Sequence, residues 1–204
     1  ATEIRRRTDR GVPRYQPTDV FVMDGEPLVP IGPIGGGLYR PQTEGSFARI
    51  AWLADGSWEV RRKDGTVLRL GVTPATREAG PEGVYAWKIE QQIHPTGLRI
   101  EHGYLADGGR LYLSEIRYTA VPAGSDRRVL IRWEPRTDVR LSHRAGFAQA
   151  TAQRLSAIDV ESAGALVWTY RLSYEETGGL SRLTAIEQVA AGGGASMPVV
   201  SFSY

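Results

Sequence analysis

Cysteine is absent from this chain of 204 residues. Disulfides and thiolate chemistry are excluded with it, and the compartment is left open. No apolar run approaches the length that crosses a bilayer as a helix, and no signal-peptide pattern opens the sequence. Neither sign of charge dominates: 25 Lys+Arg stand against 23 Asp+Glu, a net +2, although the pI is about 9.0. Arginine outnumbers lysine heavily, but the basic residues are dispersed among acids. That pattern gives neither a nucleic-acid footprint nor a membrane-surface one. The one compact basic cluster, Arg5-Arg6-Arg7, lies at the very start and reads as a frayed, solvated end.

What the chain does have is alternation. Leu166, Trp168, Tyr170, Leu172 and Tyr174 occupy one parity, and Val167, Thr169, Arg171, Ser173 and Glu175 the other. A period of two in aromatic and β-branched residues predicts a strand with one buried face. Upstream, Leu155 and Ile158 stand three apart, separated from the alternating run by the turn-forming Glu161-Ser162-Ala163-Gly164. The same unit occurs twice more. Leu113-Ser114-Glu115-Ile116 leads through Pro122-Ala123-Gly124-Ser125-Asp126 to Val129–Glu134, and Leu183-Thr184-Ala185-Ile186 leads through Gly192-Gly193-Gly194 to Val199–Tyr204. The leucines are unevenly spaced, so this is a divergent hairpin repeat and not a strict-period solenoid. Each hairpin needs neighbours to bury its apolar face.

Further strands are expected over Asp19–Met23, Ser46–Leu53, Tyr85–Ile93 and Leu98–Tyr104, and Glu26–Pro30 continues extended because each proline biases its predecessor away from helix. Residues Ala1 to Pro17 read as extended, and Val72 to Gly83, broken by prolines and glycines, as loop. Trp58–Lys63 and Thr66–Leu70 flank Asp64-Gly65, for which a type I′ turn is predicted. Ala145 to Ile158 fits a strand or a helix, with the strand preferred because Leu155 and Ile158 align with the other repeats. The fold class is therefore all-β, a meander of antiparallel hairpins in a large curved sheet with little helix. Residues 1–204 read as a single unit, with 72–83 the best of weak candidates for a boundary within it. The chain starts at alanine and stops within a strand pattern, so a segment of a longer protein is expected.

No reactive constellation emerges. Four aspartates, Asp24, Asp55, Asp64 and Asp107, precede glycine and read as turn residues. His94, His102 and His143 are scattered and lack an obvious third ligand for a metal. Gly32 to Gly37 lacks the Lys-Ser/Thr of a phosphate loop, and no serine sits on a glycine-flanked elbow. Glu175 and Glu176 are adjacent on a strand and face opposite ways. The tryptophans Trp52, Trp58, Trp87, Trp133 and Trp168 could stack sugars, but core packing is the stronger reading. No catalytic, cofactor-binding or metal-binding residue is assigned, and no cofactor.

Several motifs together carry a resemblance. Arg6-Arg7-Thr8-Asp9-Arg10-Gly11-Val12-Pro13-Arg14-Tyr15 is followed by Asp19–Pro30, then by Phe47-Ala48-Arg49-Ile50, Trp58-Glu59-Val60 and Lys63-Asp64-Gly65-Thr66. Ile116-Arg117-Tyr118, Trp133-Glu134-Pro135-Arg136-Thr137-Asp138, Arg154–Ile158 and Tyr170–Glu175 continue the series. Nearly the whole chain thus resembles the N-terminal region of the SpvB/TcB toxin family, with hairpins similar to Rhs/YD repeats. Ile93-His94-Pro95-Thr96-Gly97 departs from it, since the family tends to an Asp/Asn-Gly-Asn turn there.

The resemblance implies a non-catalytic segment of a secreted bacterial toxin, part of a β-sheet shell that encapsulates a cytotoxic effector. Its implied partners are other segments of the same chain and an Rhs-type TcC subunit, with no nucleic acid and no membrane insertion by this segment. Assembly in the bacterial cytoplasm before release is compatible with it. The ADP-ribosylating domain of some family members needs a Ser-Thr-Ser strand and a Glu-x-Glu pair, and neither string occurs here. A carbohydrate or cell-surface binding module using exposed tryptophan and tyrosine is the alternative. A part of an ADP-ribosylating toxin whose catalytic domain lies elsewhere is the third reading.

Overall fold

The computed structural model describes residues 2–33, 37–119, 126–193 and 196–204. Pro122–Ser125 of the predicted Pro122–Asp126 turn and parts of the two glycine-rich stretches lie outside them. Among the described residues sixteen strands form one antiparallel sheet, and helix is limited to two short 3₁₀ turns. The all-β, hairpin-built expectation holds.

The first half of the sheet closes on itself. β1 (Glu3–Arg6), β2 (Phe21–Met23), β3 (Glu26–Pro30), β4 (Leu38–Pro41), β5 (Arg49–Trp52), β6 (Trp58–Arg61) and β7 (Val67–Leu70) pair in sequence order. After β8 (Arg77–Gly80) comes the long β9 (Gly83–Ile93), which closes the ring. One edge of β9 bonds β7 and then β8. Its other edge bonds β1, with Ile4 opposite Trp87. A closed barrel has no free edge to template association. Its interior holds the main core: Ile4, Phe21, Leu28, Tyr39, Ile50, Trp58, Val60, Leu68, Leu70, Trp87 and Ile89.

Beyond the barrel the sheet opens. β10 (Arg99–Asp107) leaves β9 after Glu101, where the pairing of β1 takes over the same edge. The ribbon then runs through β11 (Arg110–Thr119), β12 (Arg127–Ser142), β13 (Gln149–Ser162), β14 (Ala165–Thr177) and β15 (Leu180–Ala190) to β16 (Val200–Ser201). No buried cluster forms on β12 to β16 among the described residues; their side chains are mostly half-buried or exposed. The expected buried face is thus corrected. Leu166 and Trp168 are exposed on the apolar parity of β14, because no second layer covers this single-layer ribbon.

Four further expectations change. Arg5-Arg6-Arg7 is not a frayed end: β1 closes the barrel, and Arg6 is buried. Residues 72–83 are not simply loop, since Arg77–Gly80 forms β8 on the edge of β9. The structure adds β4, which had no strand signal in its glycine-rich surroundings. Asp64-Gly65 does not make a type I′ turn, because only Gly65 has positive φ. Arg62 N–H bonds the Thr66 carbonyl and Gly65 N–H the Arg62 carbonyl, the pattern of a type I turn followed by a left-handed glycine. The I′ geometry appears instead at Asp24-Gly25, where both residues have positive φ between β2 and β3.

Candidate functional site

The three L-x-x-I segments lie in β11, β13 and β15, and each contains a β-bulge. Gly103 faces Glu115 and Tyr104 faces Leu113, which leaves Ser114 unpaired. Arg132 faces Ala157 and Trp133 faces Leu155, skipping Ser156. Ser173 faces Ala185 and Tyr174 faces Leu183, skipping Thr184. The bulged residue is a serine or threonine each time. Ser156 donates its hydroxyl to the Arg132 carbonyl at 3.1 Å, and Thr184 does the same to Ser173 at 3.1 Å. An extra residue between leucine and isoleucine restores both to one face, which plain alternation would forbid.

The aromatics opposite the leucines, and Tyr204 after β16, reach back to the preceding strands. Trp133 Nε1 donates to the Leu113 carbonyl at 2.8 Å, Tyr174 Oη to Leu155 at 2.7 Å and Tyr204 Oη to Leu183 at 3.1 Å. Tyr104 Oη begins the series on the Ile89 carbonyl at 2.8 Å, beside the bulge that skips Glu90 in β9. Burial, aided by nearby Glu3 and Glu90, drives the Tyr104 phenol well above its ordinary pKa, so it stays a donor. The residue before each leucine covers the ring: Tyr112 on Trp133, Arg154 over Tyr174 and Arg182 over Tyr204. The result is a continuous spine across the ribbon. Changing Tyr174 to phenylalanine keeps the ring and removes one donor, and should cost about 0.5–1.5 kcal/mol in urea unfolding.

A second device folds the far hairpin inward. Between Pro135 and Arg140, β12 loses register with β13. Asp138 in that bulge accepts hydrogen bonds from Arg136 and from the Ser181 N–H and hydroxyl, at 3.0 and 2.6 Å for the serine. Arg136 first, and then Ser181, hold the Asp138 carboxyl far below the usual carboxylate range. Strand order separates β12 from β15 by β13 and β14, so this contact records how strongly the ribbon coils.

The residues considered for chemistry do not converge. Trp52, Trp58 and Trp87 pack around Phe21 inside the barrel, whereas Trp133 lies on the spine and Trp168 on the open ribbon. They form no shared sugar platform. His94 lies in the β9–β10 turn with Nδ1 2.8 Å from the Thr96 hydroxyl, His102 on β10 and His143 after β12. No group of three or more His, Asp or Glu suited to a metal occurs among the described residues. Burial holds His102 below its ordinary pKa, and its Nδ1 is buried without a partner. Folding therefore favours the neutral ring. Stability should be full above the unfolded value of about 6.5 and should decline as pH falls toward the lower folded value. In thermal melts at pH 7 and pH 5, His102→Gln should lose less stability on acidification than the parent chain.

The chain is 30% identical over 157 residues to the mono(ADP-ribosyl)transferase SpvB of Salmonella typhimurium, a match covering 62% of this chain and 26% of SpvB. The N-terminal domain of effector protein SpvB superposes with a TM-score of 0.81, covering 93% of this chain and 86% of that domain at 22% identity. The chain is homologous to the SpvB N-terminal domain. It spans about a quarter of the length of the curated SpvB proteins it matches; the protein from Salmonella enteritidis is 29% identical over the same length. No family model matches the chain. The fold recurs in TcdB2-TccC3, with a TM-score of 0.85 over 100% of this chain and 14% of that one at 20% identity. It recurs equally in the Tc holotoxin pore of Photorhabdus luminescens, with a TM-score of 0.84 at 20% identity. The chain is thus similar in sequence to part of SpvB, and its fold is one that Tc complexes share.

Proposed function

We propose that this chain is a non-catalytic wall segment of a secreted bacterial toxin, whose work is to enclose. The observation that carries this reading is the single-layer ribbon leaving a closed barrel, stitched by one repeated bulge-and-aromatic step. Such a sheet satisfies each strand's backbone through the next and extends by adding hairpins. The likeness to TcdB2-TccC3 supports an Rhs-type subunit as partner and a cytotoxic effector as cargo. Other segments of the same toxin chain are the nearest partners, and residues 1–204 act as one unit. The similarity to SpvB lies in its N-terminal domain, which supports a segment without transferase activity of its own.

The test uses the full-length parent protein co-produced with its Rhs-type partner. Cargo inside the assembly should survive a protease dose that digests the free cargo, and equal digestion overturns the wall reading. The chain alone should release no nicotinamide from NAD. Tryptophan fluorescence across a glycan panel should stay unchanged, whereas a saturable shift would favour the carbohydrate-binding alternative.

A further inference from the structure

A crevice of about 610 Å³ lies between the barrel wall and the β10–β11 and β12–β13 turns of the ribbon, lined from both sides. The barrel supplies Arg5 and Arg7 from its first strand and the turn after it, and the ribbon side supplies Arg110 and Arg144. The volume lies within the range of small-ligand sites. Three carboxylates, Glu3, Asp9 and Glu78, also face it, but each is already engaged. Glu3 pairs with Lys88 and with Arg5, the latter at 3.4 Å. Asp9 pairs with Arg7 at 3.0 Å. Glu78 is buried, pairs with Lys88 at 3.2 Å, and accepts from Leu111 N–H and from the Gln149 amide, both at 3.0 Å. Burial alone would lower the Lys88 pKa, but Glu78 and Glu3 outweigh it and raise the value, so this knot stays ionised.

The arginines are left in surplus. Arg110 and Arg144 make no ion pair among the described residues, and Arg110 Nε is buried without any hydrogen-bond partner. An unsatisfied buried donor of this kind costs free energy unless something completes it. Arg5 bonds the Tyr85 hydroxyl at 3.2 Å, which leaves further guanidinium N–H groups to offer. A guanidinium fork matches the two oxygens of a carboxylate or phosphate, and partial enclosure strengthens such a bond.

We propose that this crevice is a binding site for an oxyanion, a carboxylate or phosphate group, held by Arg110 with Arg5 and Arg144. The site is independent of the wall reading, because it rests on the junction of barrel and ribbon and not on the enclosed face. Its ligand accepts from the half-buried Arg110 guanidinium and bridges the two halves of the chain. Binding there ties β1 of the barrel to β11 and to the loop after β12.

The test follows arginine Nε–Hε resonances of the chain by NMR at low salt during titration with inorganic phosphate and, separately, with citrate. Arg110 should show a saturable shift with either or both probes. A response to phosphate alone assigns phosphate groups as the ligand, and a response to citrate alone assigns carboxylates. Arg110→Gln and Arg144→Gln should each weaken binding at least tenfold. Arg171→Gln, on the exposed face of β14, should bind as the parent does. Arg144 is exposed, so its variant remains informative if Arg110→Gln fails to fold. An Arg110 resonance that does not move, or all three variants binding alike, overturns the proposal.

Discussion

Replacing Asp19 with alanine should destabilise the chain by about 3–5 kcal/mol, the cost of stranding a buried charge. Asp19 accepts from Arg6 Nη1 at 2.7 Å, Tyr15 N–H at 2.8 Å and Arg14 N–H at 3.2 Å. Arg6 is 6% exposed, and its Nε donates to the Val84 carbonyl at 2.9 Å. Its guanidinium lies over the rings of Tyr15, Phe21 and Trp87, at 5.0, 5.2 and 5.8 Å. Without Asp19, that cation stays in the barrel wall with carbonyls and ring faces alone. The loop from Arg7 to Val20 loses its anchor at the same stroke. The pair Arg61–Glu59 is the contrast: Arg61 is 59% exposed, and Glu59→Ala should cost about 0–1 kcal/mol. Urea unfolding followed by tryptophan fluorescence measures both. A loss below about 1 kcal/mol for Asp19→Ala would mean that Arg6 finds water. Joining Arg6→Met to Asp19→Leu should recover much of the loss, since the charge leaves with its partner.

Phe21→Ala should cost a comparable 3–5 kcal/mol for a different reason, an emptied core. Phe21 is fully buried, with ring centroids 4.9 Å from Trp58, 5.3 Å from Trp52, and 5.7 Å from both Tyr39 and Trp87. Most of these contacts are edge-on, an arrangement worth more than its buried area alone. The four neighbours come from β4, β5, β6 and β9, so one side chain ties most of the ring. Near-UV circular dichroism should fall with stability, because the tryptophans lose their fixed surroundings. Phe21→Leu fills part of the space and should cost clearly less. Equal losses for the two variants would show that ring geometry, and not volume, sets the cost.

The hairpin ribbon was legible because its signals are local. Trp58–Arg61 and Val67–Leu70 flank an Asp-Gly turn, and the alternation from Leu166 to Tyr174 lies in β14. The helix option over 145–158 arose from a three-residue spacing that a bulge imitates. Leu155 and Ile158 share a face because Ser156 is looped out of register. The pattern L-[S/T]-x-I therefore carried the bulge in plain sight. What was hidden depends on distant partners. Arg6 points inward from β1, and an arginine at a core position reads as solvent. Its burial becomes legible only once Asp19 and three aromatic rings surround it. β8 is a strand because β9 offers it an edge, against the prolines on either side. The crevice draws Arg5, Arg110 and Arg144 from separated stretches, and no spacing in the sequence unites them.

The spine has a consequence for how such chains can change length. Each step fixes where the looped-out serine or threonine lies relative to one aromatic, and leaves the arms beyond it unconstrained. Leu113, Leu155 and Leu183 are unevenly spaced, yet all three meet the same partner geometry. Whole hairpins can therefore be duplicated, deleted or lengthened at their tips without disturbing the barrel, whereas one residue gained or lost between leucine and isoleucine turns the rest of the ribbon inside out.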